Sequence, residues 1–177
     1  MLFSIVQYGY ACINKEINIG VVDTIEGKLY SELIATLILE RTGVKVGRYY
    51  YKTVDELEKA VVEQKVEMIL LNTSEALHQL GLQVGKTARE DYETVKAAYD
   101  EHKGMIWLRP FDFTTGDGFT APVISQSILD KFPAMPRIID KLSSKLDEET
   151  RTRLIAQVQS MKTRRVAKDF LYENRLI

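Results

Sequence analysis

The spacing of hydrophobic positions changes several times along the chain, and each change marks a new element. Ile17-Asn18-Ile19-Gly20-Val21-Val22 alternates weakly and then becomes continuously apolar. That is the pattern of a strand buried on both faces of a parallel sheet, and it stops at Asp23-Thr24. Over residues 26–41, Leu29, Leu33, Ile34, Leu37 and Ile38 fall three and four apart, which predicts an amphipathic helix closed by Gly43 just past its end. Residues 44–52 read as a second strand. Thr53 and Glu56 form a capping box that opens a helix over 53–65, with Leu57, Ala60 and Val61 facing inward. Residues 67–72 read as a third strand, and Thr73-Ser74-Glu75 opens a short helix that Gly81 ends. A helix over 86–102, with Tyr92, Val95 and Ala98 or Tyr99 inward, feeds an apolar run at 105–108 bounded by Gly104 and Pro110.

A further strand is predicted at 121–124. Between it and the run at 105–108 lie Thr114-Thr115-Gly116-Asp117-Gly118-Phe119, small, polar and glycine-rich residues that predict a tight surface loop over 114–119. The remainder is helical: 125–132, then an interruption at Pro133 and Pro136, then 137–145, 147–161 with acidic residues at its start, and 163–174. Strands alternating with helices through short links predict an α/β fold. Its central sheet is mostly parallel, of about five strands, flanked by helices, with a helical C-terminal third.

A length of 177 residues supports one core of ordinary size, so a single domain is expected, with 17–113 and 120–177 as its two halves. Hydrophobic residues at 45% and charged residues at 28% are the proportions of a globular domain and argue against disorder. A net charge of −1 gives no electrostatic reason to expect a nucleic-acid partner. The basic cluster Lys162, Arg164, Arg165 and Lys168 is interleaved with Asp169 and Glu173 and reads as a solvated helix face. Cys12 is the only cysteine, which excludes an intrachain disulfide. Residues 1–11 are mostly apolar and precede Cys12, but they carry no positive n-region, so a strand or a trimmed start is favoured over a lipid anchor.

Two stretches carry a family resemblance. Residues 92–113, YETVKAAYDEHKGMIWLRPFDF, resemble the helix and strand leading out of the first lobe in substrate-binding proteins of glycine betaine, choline and carnitine ABC transporters. Residues 121–177, from APVISQSILDKF to FLYENRLI, resemble the segment that returns to that lobe. In that family a whole second lobe sits between the two, whereas here a short join replaces it. The resemblance therefore implies a type II periplasmic-binding-protein fold reduced to one lobe, placed in the periplasm or at the outer face of a membrane. The partners it implies are a quaternary ammonium or similar solute, a transporter permease and, with the cleft open, a second copy of the chain. Glu26 falls where the family has an acidic residue at the start of the first helix. The stretch 70–74, LLNTS, aligns where the family usually has Tyr-Pro-Glu-Tyr-Thr, so Thr73 replaces an aromatic wall of the cation box. Tyr49, Tyr50, Tyr51, Phe111 and Phe113 are alternative aromatics, although a tyrosine run in a strand alternates faces and suits packing better.

Ligands of open α/β sheets sit beyond the carboxyl ends of the strands. The residues expected to line a ligand site are therefore Asp23, Thr24 and Glu26 after the first strand, and Asn72, Thr73 and Ser74 after the third. After the fourth come Phe111, Asp112, Phe113 and Thr114. Asp23, Thr24, Thr73 and Ser74 also suit plain helix caps. His78 and His102 stand in no metal-ligand spacing, and Gly116-Asp117-Gly118 is wrongly placed for a phosphate loop. No catalysis, metal or cofactor is expected. The functional expectation is weak binding of an osmolyte-like solute, alone or with a partner covering the open face. The alternative is a protein-interaction or self-associating module.

Overall fold

The computed structural model describes residues 16–111, 114–115 and 118–177. Cys12, Asp112 and Phe113 lie outside the described residues, and with them the readings made for those positions. In chain order the elements are β1 (Glu16–Val22), α1 (Ile25–Thr42), β2 (Lys45–Tyr51), α2 (Val54–Val62), β3 (Met68–Asn72), α3 (Thr73–Gln79) and α4 (Ala88–Lys103). There follow β4 (Met105–Trp107), β5 (Thr114–Thr115), β6 (Gly118–Ser125), α5 (Gln126–Lys131), α6 (Met135–Ser143), α7 (Glu148–Val158) and α8 (Thr163–Glu173).

The strands form one sheet in the order β2-β1-β3-β6-β4, with β5 paired to the start of β6. β1 pairs in parallel with both β2 and β3, and β6 runs antiparallel between β3 and β4. β2, β1, β3 and β4 therefore share one direction and β6 opposes them. Composition decides who sits inside. β3 buries Met68 and Leu70 on one face and Ile69 and Leu71 on the other, as only an interior strand can. β2, with Lys45, Arg48 and two half-exposed tyrosines, takes an edge.

Each face has its own core. On one, α2, α3 and α4 cover Ile69, Leu71 and Val123 with Leu57, Leu77, Val95 and Tyr99. On the other, α1 lies on Ile17, Ile19 and Val21, and the C-terminal helices close over α1. This second layer overturns the expected amphipathic α1. From Leu29 to Ile38, Leu29, Tyr30, Ser31, Glu32, Leu33, Ile34, Ala35, Leu37 and Ile38 are all buried, so the middle of α1 shows almost no face to water. The polar positions that suggested a wet face are satisfied locally: the Ser31 hydroxyl donates to the Lys28 carbonyl, and Glu32 pairs with Arg48 of β2.

The stretch at 114–119 also departs from expectation. Thr114 and Thr115 form β5, pairing with Phe119 and Gly118, and β6 starts at Gly118 instead of residue 121. Consecutive threonines are β-branched and favour strand geometry, a preference that the surrounding glycines masked. The strand at 105–108 ends at Trp107, although the Leu108 N–H still donates to the Pro122 carbonyl at 2.9 Å. Pro136 does not interrupt a helix. It sits in the first turn of α6, where its missing N–H costs nothing.

Ile19, fully buried at the centre of β1, tests this architecture. Ile19→Ala is expected to lower unfolding free energy by about 2–5 kcal/mol in urea titration. Val62→Ala, at a position 82% exposed, is expected to change it by less than about 0.5 kcal/mol.

Candidate functional site

Because β1, β3 and β4 point the same way and β6 runs against them, their carboxyl ends and the start of β6 meet at one edge of the sheet. Two polar clusters form there. The first follows β1. The Asp23 N–H donates to the Tyr51 carbonyl at 2.7 Å, and its carboxylate pairs with Lys28, whose ammonium lies 5.7 Å from the centre of the Tyr50 ring. Thr24 caps α1, its hydroxyl accepting from the Gly27 N–H at 2.9 Å. Glu26, in the first turn of α1, pairs with Arg151 of α7, which also reaches Glu148 at 2.8 Å. Burial works against the Arg151 guanidinium, but the Glu26 and Glu148 carboxylates outweigh it and hold its pKa above the ordinary value. One turn further, Tyr30 is buried with its ring 5.1 Å from that of Phe111. Burial, reinforced by the Glu26 charge, raises the Tyr30 pKa well above 10.0.

The second cluster follows β3. Asn72 caps α3, its side-chain oxygen accepting from the Ser74 N–H at 2.9 Å. The Thr73 hydroxyl, fully buried, accepts from the Phe119 N–H at 3.0 Å and so ties the start of α3 to β6. The Ser74 hydroxyl is buried and has no partner among the described residues. All three side chains crowd the Gly118 backbone: a Cβ there would lie 2.5 Å from Thr73 Oγ1, 2.6 Å from Asn72 Oδ1 and 2.7 Å from Ser74 Oγ. Only glycine lets β6 approach the start of α3 this closely.

No family model and no curated protein sequence matches the chain. Solved structures do, and two of them align over nearly the whole chain. Apo YehZ from Escherichia coli superposes with a TM-score of 0.80 at 16% identity, over 92% of this chain and 99% of that chain. A glycine betaine/carnitine/choline ABC transporter structure gives 0.79 at 10% identity, over 91% and 98%. The fold is a single lobe of the periplasmic-binding-protein type.

Within this lobe, the expected site residues divide. Asn72, Thr73 and Ser74 come together around Gly118, and Asp23, Thr24 and Glu26 gather at the mouth of α1. Phe111 is fully buried in the α1-side core, and Thr114 lies in β5 opposite Phe119. Most of these residues hold the lobe together as caps or ion pairs. Of the tyrosine run, Tyr51 packs on the α2-side core, while Tyr49 and Tyr50 stay 46% and 44% exposed on the edge strand. Sequence reasoning missed Lys28, Arg151 and Gly118. Arg151 is 125 positions from Glu26 and carries no local signal, whereas Gly118 could have been found as an isolated glycine inside a strand pattern. The hollows lie to either side of the edge. One of about 400 Å³ between α2 and α3 is lined by Thr53, Asp55, Ser74 and His78, and an open groove of about 610 Å³ runs along β4.

Gly118→Ala is expected to cost about 1–3 kcal/mol, because backbone and three polar side chains must all give way, and urea midpoints will measure it. A second expectation concerns alkali. Tyr99, like Tyr30, has its pKa raised by burial, and in its case also by its hydrogen bond to Glu58. Above the ordinary 10.0 the unfolded chain loses these protons and the folded chain keeps them, so stability falls as pH rises past that value. Tyr30→Phe and Tyr99→Phe are each expected to flatten the fall, read from urea midpoints at about pH 8 and about pH 11.

Proposed function

We propose that this lobe is a solute-binding-type domain that takes a small osmolyte-like ligand at the strand-end edge, weakly or with a partner covering it. The observation that carries the reading is the convergence of β1, β3 and β4 and the starts of α1 and α3 on one open edge, in a lobe shaped like those of two binding-protein structures. Residues 108–117, a short return, stand between β4 and β6 where a second lobe would begin. A half-cleft desolvates one side of its ligand only, which forfeits much of the burial that small-molecule sites rely on. Affinity is therefore low unless another surface closes over the edge.

Charge refines the ligand class. Asp23 is paired with Lys28 and Glu26 with Arg151, so neither carboxylate offers an uncompensated negative charge to a bare cation. A zwitterion, whose own carboxylate can meet Lys28 or backbone N–H groups, suits this edge better. In this reading the domain is non-catalytic and extracytoplasmic and delivers solute to an ABC transporter permease. One structural neighbour, a glycine betaine/carnitine/choline ABC transporter structure, supports that placement. The second reading, a self-associating or protein-interaction module, is favoured by two exposed apolar side chains, Ile25 at the mouth of α1 and Tyr50 on β2, 50% and 44% exposed.

Isothermal titration with glycine betaine, carnitine, ectoine and choline tests the first reading. Saturable heat is expected with the zwitterions and at least several-fold weaker binding with choline. Silence across the panel, with concentration-dependent mass in light scattering, would instead establish the interaction module.

A further inference from the structure

The end of α1 and the start of α6 wall a crevice of about 170 Å³. α1 has 18 residues, so at about 1.5 Å per residue its last turn lies about 25 Å from the strand-end edge where the helix begins. Helical spacing decides what faces the crevice. Leu37 and Arg41 stand one turn apart on α1, and Arg137 and Lys141 one turn apart on α6, with Ile138 beside them. Burial separates floor from rim: Leu37 and Leu176 are buried and Ile138 half-buried, whereas Arg41, Arg137 and Lys141 are exposed.

The charge of that rim is one-sided. Among the described residues no Asp or Glu lines the crevice. The carboxylates nearest in sequence are turned elsewhere: Glu40 pairs with Lys168 at 3.8 Å and Asp140 with Arg109 at 3.3 Å. None of the three cations has an acidic partner among the described residues, the carboxylate that follows Ile177 in this chain included. Arg137 adds a second signal. It stands in the first turn of α6, where the helix dipole disfavours a cation, and α6 opens with no acidic residue and no side-chain cap. Helix stability alone gives no reason for a guanidinium there. Three like charges around one hollow repel one another, and an anion between them turns that repulsion into attraction.

We propose that the α1–α6 crevice binds a tetrahedral dianion, phosphate, either free or as a small monoester. The hollow has the room of about five or six waters at about 30 Å³ each, enough for so compact an anion. Phosphate oxygens diverge, so one group meets Arg41 on one wall and Arg137 and Lys141 on the other. A carboxylate presents both oxygens in one direction and reaches one wall at a time. The apolar floor limits the water that competes for these contacts.

The full chain, labelled with nitrogen-15, is titrated with sodium phosphate at about pH 7.5, where phosphate is mostly dianionic, with chloride exchanged to hold ionic strength. Saturable shifts are expected at the amides of Arg41, Arg137, Ile138, Lys141 and Leu176, with acetate at least about tenfold weaker. Glycerol phosphate distinguishes the sources: equal binding assigns the site to monoesters, and loss of binding assigns it to the free ion. Arg41→Ala and Arg137→Ala are each expected to weaken phosphate several-fold and together to abolish saturation. Arg165→Ala, in the basic cluster of α8, is expected to change nothing. All these side chains are exposed, so the variants keep the fold, which circular dichroism checks. Shifts that never saturate, spread over the α8 cluster, are matched by acetate or survive the double variant overturn the site and leave a solvated basic face. Solute binding at the strand-end edge is expected to be untouched by the double variant, so the two proposals fail separately.

Discussion

The antiparallel seating of β6 between β3 and β4 is the constraint on which the rest of this lobe depends. Trp107 lies directly opposite Val123, and Met68 opposite Ile124, so a single returning strand joins the first three strands to the last. Without it, β4 would have no neighbour and α4 nothing to cover. It also fixes the polarity of the functional edge: a strand running against its neighbours begins where they end, which brings Gly118 against the start of α3. The contact is close because glycine has no side chain and because the Phe119 N–H finds the buried Thr73 hydroxyl.

The same return sends the chain to the α1 side of the sheet, where α5 to α8 finish it. A two-layer arrangement would have left half of α1 wet. Adding a helical layer buries α1 on nearly all sides, and the apolar residues of α8, Val166, Ala167, Phe170 and Leu171, have α1 to cover. The Glu26–Arg151 pair then couples that layer to the mouth of α1, so the charge of the strand-end edge is set partly by the C-terminal helices.

Much of this was legible in the chain. The period-2 and continuous apolar runs located β1, β3 and β4, and the caps at Thr24 and Thr53 are where local chemistry requires them, whereas α3 is capped by Asn72 and not by the expected Thr73 or Ser74. The single-lobe fold followed from two flanking stretches and a short join. What escaped the sequence was long-range or masked. Periodicity reports how many faces of a helix are apolar only when its polar residues are truly wet, and Glu32 and Ser31 are not. Ion pairs such as Glu26–Arg151 have no signature before the fold exists. The threonines of β5 were hidden by glycine neighbours whose usual meaning is a turn.

Where polar residues gather is a poor guide to where ligand chemistry remains. At the strand-end edge, Thr24, Asn72 and Thr73 have oxygens committed to backbone N–H groups, and Asp23 and Glu26 have cation partners. Each commitment stabilises the lobe and lowers what the group can offer a solute, since a ligand must compete with a contact already made. A closing second lobe would compensate by desolvating the solute from the other side. Beyond the end of β4, hydroxyls of Tyr92 and Ser143 occupy the Leu108 and Arg109 carbonyls, and within β4 the buried Trp107 indole N–H meets no acceptor among the described residues. A buried donor left without an acceptor costs more than the same group in water, because nothing replaces the hydrogen bond it has lost. Binding in this lobe is thus governed less by how many polar groups a surface presents than by which of them the fold has left unsatisfied.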